Sequence, residues 1–105
     1  MTPFQLDEAA AAELVAAGDW YRANAGPEIA TRFVDAIDAA LTRMSEGPQA
    51  HALLEEWRGV VLRRILVQGF PFQVVYGMVA GTLWVFAVAH LHRRPGYWHD
   101  RVSPT

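Results

Sequence analysis

His90, His92, Arg93, Arg94, Tyr97, Trp98, His99 and Arg101 crowd the last part of this 105-residue chain. Histidine changes charge near neutrality, guanidinium grips phosphate or carboxylate at two points, and large aromatics stack on bases or anchor protein interfaces. His90 is therefore a candidate general base. Arg93, Arg94, Tyr97, Trp98 and Arg101 form a candidate partner-binding set, against the alternative that Tyr97 and Trp98 simply staple the tail to the core. Three histidines could also make an open zinc site, but only Asp100 stands beside them at ligand spacing. The more economical expectation is no metal, with His90 hydrogen-bonded so that it fixes the tail against the last strand. Arg63 and Arg64 are a second cationic pair. As neighbours in a strand they point to opposite faces. Either both lie near a strand end, solvated or paired with helix acids, or one of them anchors an acidic partner segment.

Bulk composition removes several chemistries. All nine basic residues are Arg, which excludes lysine as base or Schiff-base former, and zero Cys leaves neither disulfides nor thiolate metal sites. No cofactor is expected. The N-terminus MTPFQLDEAA has neither a basic nor an apolar signal region, so a cytoplasmic protein is expected. The net charge of −2 hides an asymmetry: ten acids and three Arg up to residue 56, six Arg and one acid after it. Residues 65–89 carry no charge. Pro71, Gln73, Gly77 and Gly81 interrupt that stretch and it alternates, which argues for strands rather than a membrane span.

These side chains need a scaffold, and the pattern predicts one domain over 1–105. A short strand over 2–6 leads to Asp7, placed as a helix N-cap. A helix over 7–24 follows, with a stripe of Leu14, Ala17, Gly18 and Tyr21. Trp20 and Tyr21 read as core or hairpin packing, with part of a partner-binding surface as the lesser alternative. Pro27 opens a second helix over 27–46, where Ile29, Phe33, Ile37, Leu41 and Met44 repeat at helical spacing. A polar connection with His51, Glu55 and Glu56 leads to strands over 58–67, 70–79 and 82–90 and a basic aromatic tail over 91–105. In the last strand, Trp84, Phe86, Val88 and His90 are expected on one face, Leu83, Val85, Ala87 and Ala89 on the other. The fold class is α+β, a two-layer domain: an N-terminal strand and a helical hairpin packed on a mainly antiparallel sheet.

The order of elements resembles the ParE/RelE toxins of type II toxin-antitoxin systems. The likeness rests on Ala17-Gly18-Asp19-Trp20-Tyr21, Phe33-Val34-Asp35-Ala36-Ile37, Phe70-Pro71-Phe72-Gln73-Val74-Val75-Tyr76, and Ala87-Val88-Ala89-His90 running into Arg93-Arg94-Pro95-Gly96-Tyr97-Trp98. It implies a toxin neutralised by a cognate antitoxin, with Arg63 or Arg64 as a possible anchor for the antitoxin's acidic segment. The ParE-like branch implies inhibition of DNA gyrase by binding, without a catalytic centre. The RelE-like branch implies ribosome-dependent cleavage of mRNA, with His90, Arg93 and Tyr97 the residues to test. A non-toxic partner-binding relative is a third outcome. The pI near 6 and the absence of Lys fit an RNA target poorly, and the ending His90-x-x-Arg93-Arg94-Pro95-x-Tyr97-Trp98 resembles the ParE pattern more closely.

Overall fold

In a computed structural model, which describes residues 1–103, two helices pack on one face of a five-stranded mixed sheet. The elements are β1 (Phe4–Leu6), α1 (Glu8–Ala25), α2 (Pro27–Glu46), β2 (Ala52–Trp57), β3 (Val60–Leu66), β4 (Phe72–Val79), β5 (Thr82–His90) and a 3-10 turn, His99–Arg101. The strand order is β1-β5-β4-β3-β2, with β1 parallel to β5 and every other pair antiparallel. The expected tail runs to residue 105, and its last two residues lie outside the described ones.

Local chemistry sets the helix ends. The Asp7 carboxylate accepts from the Ala9 amide at 2.9 Å, satisfying a donor that the first turn leaves open. Pro27 opens α2, where its missing N–H costs nothing. Ala10 and Ala17 are the buried residues of α1, and α2 buries Phe33, Ile37, Ala40 and Met44. Small residues on α1 bring its backbone close to β5, while α2 supplies the volume. These side chains join Ile65, Val74, Tyr76, Val85 and Val88 in one core.

Two β-bulges explain where strand alternation misleads. Ala52–Trp57, expected as a polar connection, is instead an edge strand on β3. Leu53 pairs with Arg63 and Glu55 with Leu62, so Leu54 is an extra residue that breaks period-two patterning. In β5, Val75 pairs with Ala87 and Tyr76 with Val85, so Phe86 is the bulged residue. The expected faces of β5 are thereby corrected: Leu83, Val85 and Val88 join the helix-side core, while Phe86, Ala87 and Ala89 join a second core behind the sheet. Both two-residue hairpins, Arg58-Gly59 and Ala80-Gly81, have positive φ at each position, which matches the twist of the paired strands.

The second core decides how the tail folds. Trp98 and Val102, 2% and 0% exposed, lie against Val60, Leu62, Val75 and Phe86 on the face away from the helices. The tail thus covers the back of the sheet, and a two-layer description omits it. No helix among the described residues is long and apolar enough to cross a membrane.

Candidate partner-binding site

Glu13, on α1, organises the region where β5, α1 and the tail meet. Its carboxylate accepts from the Tyr97 hydroxyl at 2.6 Å and from Arg101 at 2.7 and 3.2 Å, with Arg93 at 3.4 Å. It also accepts from the Val88 amide at 3.1 Å, and Arg101 donates to the Phe86 carbonyl at 3.0 Å. β1 ends at Leu6, so the rest of the β5 edge lacks a neighbouring strand. Together Glu13 and Arg101 supply the acceptor and donor that such a strand would have offered, capping the edge with side chains.

The electrostatics follow the geometry. Burial, and then the hydrogen bond to Glu13, hold the Tyr97 phenol far above its ordinary value. The bond to Glu13 likewise raises the Arg101 guanidinium, against its own desolvation. Tyr21 is raised by burial, and Tyr76 by burial opposed by the charge of Arg63. All three tyrosines in the chain therefore bind their protons more tightly folded than unfolded. The sign is fixed: this stabilising contribution is complete below the unfolded value of 10.0 and is lost as pH rises above it. Tyrosinate absorbance is expected to appear only above pH 10, coincident with unfolding; titration of all three phenols at their ordinary value in a folded chain would contradict this.

A second anchor lies across the sheet. His99 Nε2 contacts both Glu55 oxygens, at 2.9 and 2.8 Å, and its ring stacks on Trp57 at 3.7 Å. Gly96, at φ +83, makes this possible, because a Cβ there would stand 2.6 Å from His99 Cε1. The tail is thus tied at Glu13 on one side of the sheet and at Glu55 on the other.

Beside the Glu13 anchor lies an open cavity of about 660 Å³, lined by Ala16, Ala17, Trp20, Phe72, Val88 and His90 among others. Trp20, expected in packing, is corrected to 58% exposed, because its position on α1 turns it over this cavity. Tyr21 does pack, against Phe33 and Phe70 at 5.0 and 5.1 Å.

The model of one family, described as ParE toxin of type II toxin-antitoxin system, parDE, matches residues 4–95. The chain belongs to the ParE toxin family. A solved chain titled "Chromosomal ParDE TA system from P. aeruginosa" has the same fold, with TM-score 0.73 and 22% identity, over 88% of this chain and 98% of that one. No curated protein sequence matches. The ParE family match stops short of Tyr97, Trp98, His99 and Arg101, so the tail anchors are read from this chain's own geometry.

The sites expected from sequence separate into three groups in this ParE-family fold. Tyr97, Trp98 and Arg101 are internal staples, Trp98 by burial and the other two through Glu13. His90 faces the cavity; its Nδ1 accepts from the His92 amide at 3.1 Å, and its ring meets Phe72 edge-on. Arg93 lies over the Tyr97 ring at 3.7 Å with its side chain 54% exposed, and Arg94 is exposed. Arg63 and Arg64 do point apart, yet each is tied locally, to the His51 carbonyl at 2.8 Å and to Gln73 at 3.3 Å. Among the described residues no group of three or more His, Cys, Asp or Glu gathers as a metal site. Sequence reasoning missed Glu13 and Glu55. Both carry ordinary surface residue types, and nothing in their local spacing marks them.

Proposed function

We propose that the chain is a ParE-like toxin that acts by binding, with DNA gyrase as its target in the cytoplasm, and is neutralised by a cognate antitoxin. The observation that carries the binding reading is the inward turn of the tail. The Tyr97 hydroxyl donates to Glu13 and its proton is held far above the ordinary phenol value, while Arg93 lies flat on the same ring. A proton donor tied to a carboxylate and a cation stacked on it are poorly arranged to act on a scissile phosphate. The cavity beside them, lined by an exposed Trp20, Tyr21, Phe72 and Arg93 with Glu13 as its one acid, has the composition of a protein interface, rich in aromatics with Arg beside them. Family membership supplies the direction, and the acidic pI fits a protein target better than RNA.

Controlled induction in a bacterial host tests this, with DNA and protein synthesis followed by radiolabel in the first minutes. DNA synthesis is expected to stop first, with gyrase-linked breaks. Early arrest of protein synthesis with cut transcripts would replace this reading by an endoribonuclease using His90, Arg93 and Tyr97. No arrest of either would leave a non-toxic family member.

A further inference from the structure

The helices stop short of one corner of the sheet. On the face they cover, Ile65, Val74 and Tyr76 are buried with Phe33 and Ile37, but Leu53, Val61 and Met78 on that same face are 66%, 43% and 42% exposed. Strand pairing fixes the shared face. Leu53 stands opposite Arg63 and Glu56 opposite Val61 across β2 and β3, and Arg63 stands opposite Tyr76 across β3 and β4. Directly opposed residues point to one side, as do residues two apart in a strand, which adds Met78. Single exposed apolar side chains are ordinary, whereas adjoining ones on a sheet mark a contact surface.

Two charges stand in this corner, and neither is neutralised. Arg63 is half-buried; it donates to the His51 carbonyl at 2.8 Å and pairs with no acid among the described residues. A guanidinium partly withdrawn from water without a counter-charge carries a cost that an incoming carboxylate removes. Glu56 is exposed and pairs with no cation among the described residues. The register sets these side chains as a quartet, with Leu53 and Val61 on one diagonal and Glu56 and Arg63 on the other. A two-fold axis laid in an interface along the apolar diagonal exchanges the ends of the charged one. Leu53 and Val61 of one copy then meet their own counterparts in the other, and each Glu56 meets the other copy's Arg63.

We propose that this corner of the sheet is a homodimer interface, in which two copies pack face to face and are joined by two symmetry-related Glu56–Arg63 ion pairs around Leu53, Val61 and Met78. Pairing of β2 with β2 along the open sheet edge is opposed by the bulge at Leu54, which breaks the row of backbone groups that a second strand needs. The patch is small, so the dimer is weak and exchanging, with a dissociation constant on the order of 10 µM or weaker. None of these residues lines the cavity beside Glu13, so association does not use it. The pairing rests on this face alone and not on the function proposed above.

Sedimentation velocity of the intact chain over a rising concentration series tests this. The wild type is expected to move from monomer toward twice the monomer mass. Glu56→Arg and Arg63→Glu each set like charges against each other across the two-fold axis, and each is expected to weaken association about tenfold or more. Mixed in equal amounts, the two variants are expected to associate again, because each offers the other its missing charge at both pairs. Leu53→Asp, at an exposed side chain, is expected to weaken association by a similar factor, while Leu66→Asp, 51% exposed on the opposite face of β3, leaves it unchanged. Unchanged thermal melting confirms that each variant folds; if Arg63→Glu does not, Glu56→Arg and the two leucine variants carry the test. A monomer at every concentration, association indifferent to Glu56→Arg or to Leu53→Asp, or two folded charge variants that stay apart when mixed would overturn the proposal.

Discussion

Glu13→Ala is expected to cost about 3–5 kcal/mol of folding stability, the range found when one partner of a buried ion pair is removed. The Glu13 and Arg101 side chains are only 16% and 19% exposed, so the guanidinium left behind would stay desolvated without a counter-charge. The substitution also strips an acceptor from the Tyr97 hydroxyl and from the Val88 amide on the β5 edge. Against a typical domain stability of about 5–15 kcal/mol, that approaches the unfolding threshold. Glu13→Gln separates charge from hydrogen bonding. It keeps an acceptor oxygen for Val88 while losing the attraction to Arg101, and is expected to fall between the alanine variant and the wild type. Urea unfolding followed by tryptophan fluorescence measures all three. A loss under about 1 kcal/mol for the alanine variant, the ordinary size for a surface ion pair, would show that Glu13 is not the anchor described.

Trp98→Ala is expected to be as damaging, at about 3–5 kcal/mol, by a different route. Trp98 is 2% exposed and fills the second core against strands from both halves of the sheet, so its removal opens a void that the rigid β surface cannot close. The exposed back of the sheet should then bind an apolar dye that the wild type does not. Trp98→Phe makes a control with its own prediction. The indole N–H has no hydrogen-bond partner among the described residues, and an unsatisfied buried donor is a cost that phenylalanine removes. The smaller ring gives up contacts in exchange, so this variant is expected within about 1 kcal/mol of wild type. An alanine variant as stable as the phenylalanine one would mean that the tail does not hold the back of the sheet.

Both experiments bear on the charge asymmetry of the sequence. An acidic first half and a basic second half suggest that the two halves face different chemistry. In the fold much of that asymmetry closes on itself: Arg93 and Arg101 reach Glu13, and His99 reaches Glu55. Each link joins the first half of the chain to the tail. Arg32 and Arg94 pair with no acid among the described residues, and Arg43, Arg58, Arg63 and Arg64 bond to carbonyl or amide oxygens rather than to acids, so their charges stay uncompensated.

The sequence by itself determined what depends on short-range periodicity. The Ile29-to-Met44 repeat and Pro27 specify α2 and Asp7 caps α1, because helix faces, caps and turns depend on residues within a few positions of one another; the ordered motifs from Ala17-Gly18 to Arg93-Arg94-Pro95 lie within the segment that matches the ParE family. Only the tertiary structure decided what depends on pairing between distant segments. A bulge at Leu54 hid β2, and one at Phe86 exchanged the faces of β5, since an extra residue is visible only against the strand it fails to match. Glu13 contacts Val88, Arg93, Tyr97 and Arg101, all at least 75 positions away. Nothing near Glu13 in the chain announces those partners, so its role emerges only once the sheet has brought them together.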